Sequence, residues 1–91
     1  MGGKRTQYEI YWEILTYCRN PQSFTGIIHR CNLNSKIGQE HITFLESKGF
    51  LRRLEEGGQS LLKTLEAAQA YLGAFKEMYL ELYSRGTEFK L

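Results

Sequence analysis

One proline and two cysteines are all that this chain carries of either residue, and no apolar run approaches the ~20 residues of a membrane span. A single proline, Pro21, interrupts helix formation at one place only. Without a Cys-x-x-Cys pair, Cys18, His29, Cys31 and His41 do not compose a zinc site. His29-x-Cys31 on a helix diverges in direction, and a fold of this size needs no metal. Both cysteines are expected as small buried apolar residues, with a disulfide left open only for a hyperthermophilic source. The N-terminus lacks the apolar segment of a secretory signal, which makes the cytoplasm the expected location. Met1-Gly2-Gly3-Lys4-Arg5-Thr6 fits the loose myristoylation pattern, but Thr6 has a structural use described below. There is no nucleophile motif, no phosphate loop and no cluster of carboxylates or histidines, so neither an enzyme nor a cofactor is expected. Net charge is also scarce, at +2, but it is unevenly placed. Residues 1–63 hold nine Lys/Arg against six Glu, and residues 64–91 hold three against four. A basic N-terminal part of this size is compatible with nucleic acid and well short of a strongly basic coat.

The remainder is ordinary for a globular domain: 42% apolar, 24% charged and 13% aromatic residues. At 91 residues, one domain spanning 1–91 is expected, burying ~60–65% of its unfolded surface. Thr6-Gln7-Tyr8-Glu9 is a capping box, and the helix it opens is predicted to run to about Asn20, before Pro21. Its polar residues Glu9, Glu13, Thr16 and Arg19 occupy one narrow side. Tyr8, Tyr11, Trp12, Leu15 and Cys18 form one apolar stripe, and Ile10, Ile14 and Tyr17 another. Together they exceed what a surface helix of a small monomer uses, which predicts a further partner for one stripe. Residues 20–24 read as a loop, with Phe24 plugging the end of the core.

The organising stretch is residues 25–49. Thr25 is placed as the N-cap of a short helix whose apolar side is Ile27, Ile28 and Cys31. Asn32-Leu33-Asn34 breaks the periodicity. A longer helix follows from an Asn34 or Ser35 cap, with Ile37, His41, Phe44 and Leu45 at helical spacing, Ile42 on the flank, and Gly49 as terminator. Two helices joined by so tight a turn make a helix-turn-helix, whose second helix can enter a DNA major groove. Gly38 weakens that helix by about 1 kcal/mol relative to Ala. It serves close approach of the DNA backbone or of the preceding helix, or is simply tolerated.

Residues 50–63 read as a β-hairpin turning at Glu56-Gly57-Gly58, in the position of a wing. Thr64 is predicted to cap a final helix from Leu65 to about Ser84, ending near Gly86, with residues 86–91 as a frayed tail. Leu65, Ala68, Leu72, Phe75, Tyr79 and Leu82 recur at heptad spacing, flanked by Tyr71 and Met78. A dimer seam is expected there, joined by Tyr11 and Leu15 of the first helix. The predicted fold class is mainly α with a small β-hairpin: a winged helix-turn-helix over 5–63 and a dimerisation helix over 64–85.

Three stretches carry a resemblance: Glu9-Ile10 with Ile14-Leu15 and Cys18; Thr25-x-Ile27 with Asn32-Leu33-Asn34; and Ile42 with Leu45-Glu46-x-Lys48-Gly49-Phe50-Leu51. Over about residues 5–85 the chain resembles the small archaeal winged-helix DNA-binding proteins typified by the "ten-a" chromatin proteins. The resemblance implies a winged helix whose last helix pairs antiparallel with its mate, and DNA as the partner. Two departures stand out. The final helix is shorter than the family's long coiled coil, and Ala67 stands where the family usually has Gly. With the lower basic charge, these favour a sequence-selective regulator over a chromatin-packing protein.

On the predicted recognition helix, 35–48, Ser35, Lys36, Gln39 and Thr43 share one polar side. Gln pairs with adenine, Lys with guanine or phosphate, and Thr with the thymine methyl. Arg30, Arg52, Arg53, Lys63, Lys4 and Arg5 are the candidate phosphate contacts, with strand alternation allowing only one of Arg52 and Arg53 to reach DNA. The Glu55-Glu56 tip is wrong for phosphate, so the wing is expected to lie beside the duplex. The expected partners are double-stranded DNA and a second copy of the chain, with no membrane. Two recognition helices would then occupy successive major grooves roughly 34 Å apart. The alternative is a winged-helix protein–protein interaction module without DNA binding, which the acidic tip and modest charge favour.

Overall fold

In a computed structural model, the backbone is described for residues 5–84 and side chains for residues 5–81. The order is α1 (Gln7–Tyr17), α2 (Phe24–Cys31), α3 (Ser35–Ser47), β1 (Leu51–Glu56), β2 (Gln59–Thr64), a 3₁₀ turn (Glu66–Ala68) and α4 (Gln69–Ser84). The expected tail, Gly86 and the myristoylation pattern at Met1–Lys4 lie outside the described residues. No described helix is long and apolar enough to cross a membrane.

α1 starts at the capping box read from sequence: Thr6 Oγ1 accepts from Glu9 N at 3.1 Å, and Thr6 N donates to Glu9 Oε1 at 2.7 Å. It stops at Tyr17, three residues short of the expected Asn20. Part of the reason is long-range. Thr64, buried at the end of β2, donates its hydroxyl to Leu15 O at 2.6 Å and its N–H to Cys18 O at 2.9 Å. Leu15 O and Cys18 O are thus satisfied by the hairpin, while Thr16 O accepts from Arg19 N and Tyr17 O from Gln22 Nε2. Thr64 is therefore not the cap of the last helix. That element enters through the 3₁₀ turn after Leu65, without a side-chain cap. Gln22, in the expected loop, forms an antiparallel bridge with Leu62, its N–H at 3.0 Å from Leu62 O and its carbonyl receiving Leu62 N–H at 2.8 Å.

α2 is capped by Ser23, whose Oγ accepts from Gly26 N at 3.0 Å, and Thr25 lies exposed inside the helix. The cap moves two residues upstream because Phe24 opens the helix and packs against the core. Asn32 closes α2 in the left-handed conformation at φ 56°, which Asn tolerates. Asn34 Oδ1 then caps α3 at 2.8 Å from Ile37 N. Gly38 faces α2, where an added Cβ would collide with Ile28 Cδ1. Of the alternatives for this glycine, close approach of the preceding helix is the one observed.

The hairpin pairs Leu51 with Thr64 through Glu56 with Gln59, and turns at Gly57-Gly58 with φ of 57° and 76°. Two consecutive positive φ values define a type I′ turn, whose twist suits the strands and whose sterics suit glycine. Leu51 and Leu62 face the core. Ile14, Leu15, Ile27, Ile42 and Leu45 are fully buried around α1, each worth about 1.5–3 kcal/mol. Cys18 and Cys31 are free and buried among them, and burial pushes their thiols up to about 12 and about 11.

Both apolar stripes of α1 are covered largely within the chain. α4 lies against α1, with Trp12 and Phe75 stacked at 5.7 Å. Of the expected dimer contacts, Leu15, Ala68, Leu72, Tyr11 and Phe75 are buried in this chain's own core. Leu65 is half-buried, Tyr79 is 45% exposed, and the Leu82 side chain lies outside the description. The first half of the heptad pattern is therefore an intramolecular packing surface, because a helix that returns across α1 fills the space reserved for a partner.

Gly38→Ala should lower stability, because Ile28 must leave its packed position, outweighing the ~1 kcal/mol gained in helix propensity. Removing the offending atom with Ile28→Val should make the same substitution stabilising. Urea unfolding of the four proteins checks this, and an equal effect in both backgrounds would refute the contact.

Candidate nucleic-acid interface

The exposed side of α3 carries Ser35, Lys36, Gln39, Glu40, Thr43 and Ser47. Lys36, Gln39, Glu40, Thr43 and Phe44 border one shallow depression. Gln39 Nε2 donates to Thr43 Oγ1 at 3.1 Å, one turn on. That bond holds the amide in place and leaves one N–H and the carbonyl oxygen for a ligand.

The apolar residues of α3 are arranged differently from expectation. Gly38, Ile42 and Leu45 face the core, His41 is half-buried, and Ile37 and Phe44 are 36% and 41% exposed. The helix is rotated because Gly38, which carries no hydrophobic signal, is the residue turned against α2. Phe44 stacks on Tyr11 at 5.3 Å, and Lys48 Nζ sits 5.5 Å from the centre of its ring. Lys48, at the C-cap, was not among the sequence-predicted contacts, although its place at the end of the recognition helix was readable.

The other cations divide. Arg53 pairs with Glu46 of α3 at 3.2 Å, which brings one wing cation to the flank of that helix. Arg52 lies opposite Lys63 on the outer face of the hairpin, and Lys63 Nζ donates to Arg19 O at 2.8 Å. Arg30 lies over the Tyr17 ring at 5.7 Å, beside Asn20 and Gln22, and does not join the α3 group. Arg5 is not part of a free arm: its guanidinium pairs with Glu13 and donates to Cys31 O, clamping α1 to the end of α2. Lys4 lies outside the described residues. Among the described residues no group of His, Cys, Asp or Glu is arranged to hold a metal ion.

The profile of the winged helix-turn-helix family matches residues 4–73. The chain belongs to that family. Among solved structures, this winged helix is similar to Sso10a-2, a DNA-binding protein from Sulfolobus solfataricus (TM-score 0.72, 23% identity, covering 89% of this chain and 88% of that one). It is equally similar to the transcriptional regulator BldR from the same organism (TM-score 0.72, 16% identity, 89% of this chain). The chain spans 64% of BldR's length. A third likeness is the homodimeric winged helix-turn-helix DNA-binding domain Mb0332 from Mycobacterium bovis (TM-score 0.67, 13% identity, covering 97% and 98%). Identities this low establish the shared fold. No curated protein sequence matches the chain.

His41 lies edge-on to Tyr11 at 5.2 Å, and burial lowers its pKa from the ordinary 6.5 against a smaller opposing pull from Glu40. A depressed histidine resists protonation in the folded state only, so the unfolded chain binds the proton first as pH falls. Stability should therefore decline as pH drops below about 6.5, levelling once the lowered pKa is passed. Urea midpoints between pH 7.5 and 5 test this, and His41→Gln should flatten that part of the profile. An unchanged slope would assign the dependence elsewhere.

Proposed function

We propose that this winged helix binds double-stranded DNA as a homodimer and regulates transcription, with α3 in the major groove. The observation that carries the reading is the exposed face of α3, where Ser35, Lys36, Gln39 and Thr43 stand together with cations at both ends of the helix. The free N–H and carbonyl of Gln39 match the acceptor N7 and donor N6 of adenine. Lys36, Lys48 and Arg53 are placed to meet phosphates, which fix register without reading sequence. Arg52 lies on the opposite face of the hairpin from Arg53, and the Lys63 ammonium is taken by Arg19 O, so neither joins this group. Glu55 and Glu56 are exposed at the wing tip, so the tip stays out of the groove. The DNA-binding protein Sso10a-2, the transcriptional regulator BldR and the DNA-binding domain Mb0332 share this fold and support the same reading, for which the cytoplasm is the expected location.

Dimerisation is supported by the second half of α4. Met78, Tyr79 and Leu80 are each about half exposed, and a groove between α1 and α4 is lined by Trp12, Phe75, Tyr79 and Leu80 together with the charged Arg5, Glu9, Glu13 and Lys76. Exposed apolar side chains on one helix next to an open groove suit a second copy of the same surface.

Affinity for random duplex DNA should be micromolar or tighter at low salt and fall steeply as salt rises, the slope counting the phosphates neutralised. On a selected site Gln39→Ala should cost about 1–3 kcal/mol while leaving random-sequence binding nearly unchanged. No binding even at low salt would overturn the reading and make the acidic wing tip the mark of a protein partner. In sedimentation the chain should have twice its monomer mass, and Tyr79→Glu should shift it toward monomer. A concentration-independent monomer would exclude the dimer.

A further inference from the structure

Two large apolar side chains stand exposed on α3 where a merely solvated helix face has no use for them. Ile37 is 36% exposed and Phe44 41%. Seven residues apart, they lie two turns from each other on one side of the helix, about 10 Å along its axis. This stripe adjoins the polar face directly, since Phe44 borders the same depression as Lys36, Gln39, Glu40 and Thr43.

Phe44 is also held in place. One ring face stacks on Tyr11 at 5.3 Å with 19° between the planes, and Lys48 Nζ lies 5.5 Å from the ring centre. Tyr11 is fixed in turn by edge contacts with Tyr8 at 6.3 Å and His41 at 5.2 Å, and accepts a hydrogen bond from Gln7 Nε2. A ring held by a tyrosine stack and an ammonium contact keeps a defined position while staying 41% exposed.

The charges around the stripe discriminate between occupants. Lys36 precedes Ile37 and Lys48 covers Phe44, so a dry protein partner would have to desolvate two cations. A DNA groove keeps both beside phosphates. Within the major groove, the apolar group that a base edge offers is the 5-methyl of thymine.

We infer that Ile37 and Phe44 are specificity-determining residues that read thymine methyl groups, alongside the polar readout by Gln39. The inference rests on the DNA-binding reading above. It assigns the rotated apolar edge of α3 a ligand, and Lys48 a second task of holding the ring.

The test uses the full chain to enrich duplexes from a random pool. Enriched sites should contain thymines at fixed positions. Resynthesis with deoxyuridine there, which removes only the methyl, should weaken binding roughly fourfold per methyl lost. Phe44→Ala should bind the thymine and deoxyuridine duplexes more nearly alike. Because that substitution also opens the Tyr11 stack, Ile37→Ser provides a second variant that leaves the stack intact. Sites without fixed thymines, indifference to deoxyuridine, or an undiminished penalty in both variants would overturn the inference while leaving DNA binding in place. Failure to bind DNA at low salt would remove the inference together with the reading beneath it.

Discussion

The close approach of α2 to α3 at Gly38 governs how this molecule presents its surface. Where Ile28 Cδ1 occupies the space that any side chain at position 38 would need, the two helices come together more closely than a larger residue would allow. That contact sets the rotation of α3 about its own axis. Ile42 and Leu45 follow Gly38 inward, and Ile37 and Phe44 are turned to the rim. Asn34 then starts the helix in register with that rotation by capping Ile37 N. The composition of the exposed face is therefore decided on the opposite side, by an absent side chain.

A second junction holds the remaining pieces to this pair. Thr64 links the end of β2 to the end of α1, and Leu65 N donates to Phe50 O at 2.8 Å where the hairpin begins. The hairpin is anchored at its base while its tip stays clear of the core. The same junction aims the chain into α4, which crosses back over Trp12 and grows more exposed beyond Phe75. Arg5 ties Glu13 of α1 to the last carbonyl of α2. Each helix of the motif is thus fastened at an end, where its unpaired backbone groups lie.

Most local chemistry was legible, apart from the α2 cap, which is Ser23 and not Thr25, and long-range chemistry was not. The capping box at Thr6, the Asn34 cap, the Gly49 terminator and the Gly57-Gly58 turn are each decided within a few residues, and each was readable from sequence. The bond that Thr64 makes to Leu15 O at the end of α1 comes from 49 residues away, and no local signal announces it. Apolar periodicity placed the α3 face about one residue out because a glycine contributes nothing to such a pattern even when it is buried against the neighbouring helix. The heptad spacing was read as a dimer seam, whereas Ala68, Leu72 and Phe75 pack within the chain, because spacing carries no information on whose helix a stripe packs against. The basic residues show the same limit. Arg5 looked free because its anion, Glu13, and its carbonyl, Cys31, come from two different helices.

The two cysteines lead somewhere else. Cys18 sits at the end of α1 and Cys31 at the end of α2, both fully enclosed and both with thiols held far from ionisation at neutral pH. A thiolate is the reactive species, so alkylating reagents find nothing to attack while the helix ends stay docked. Modification has to wait for an opening that exposes them. The speed at which label enters each sulfur is then a native clock for how often the corner around that helix end breathes, with no probe added to the chain.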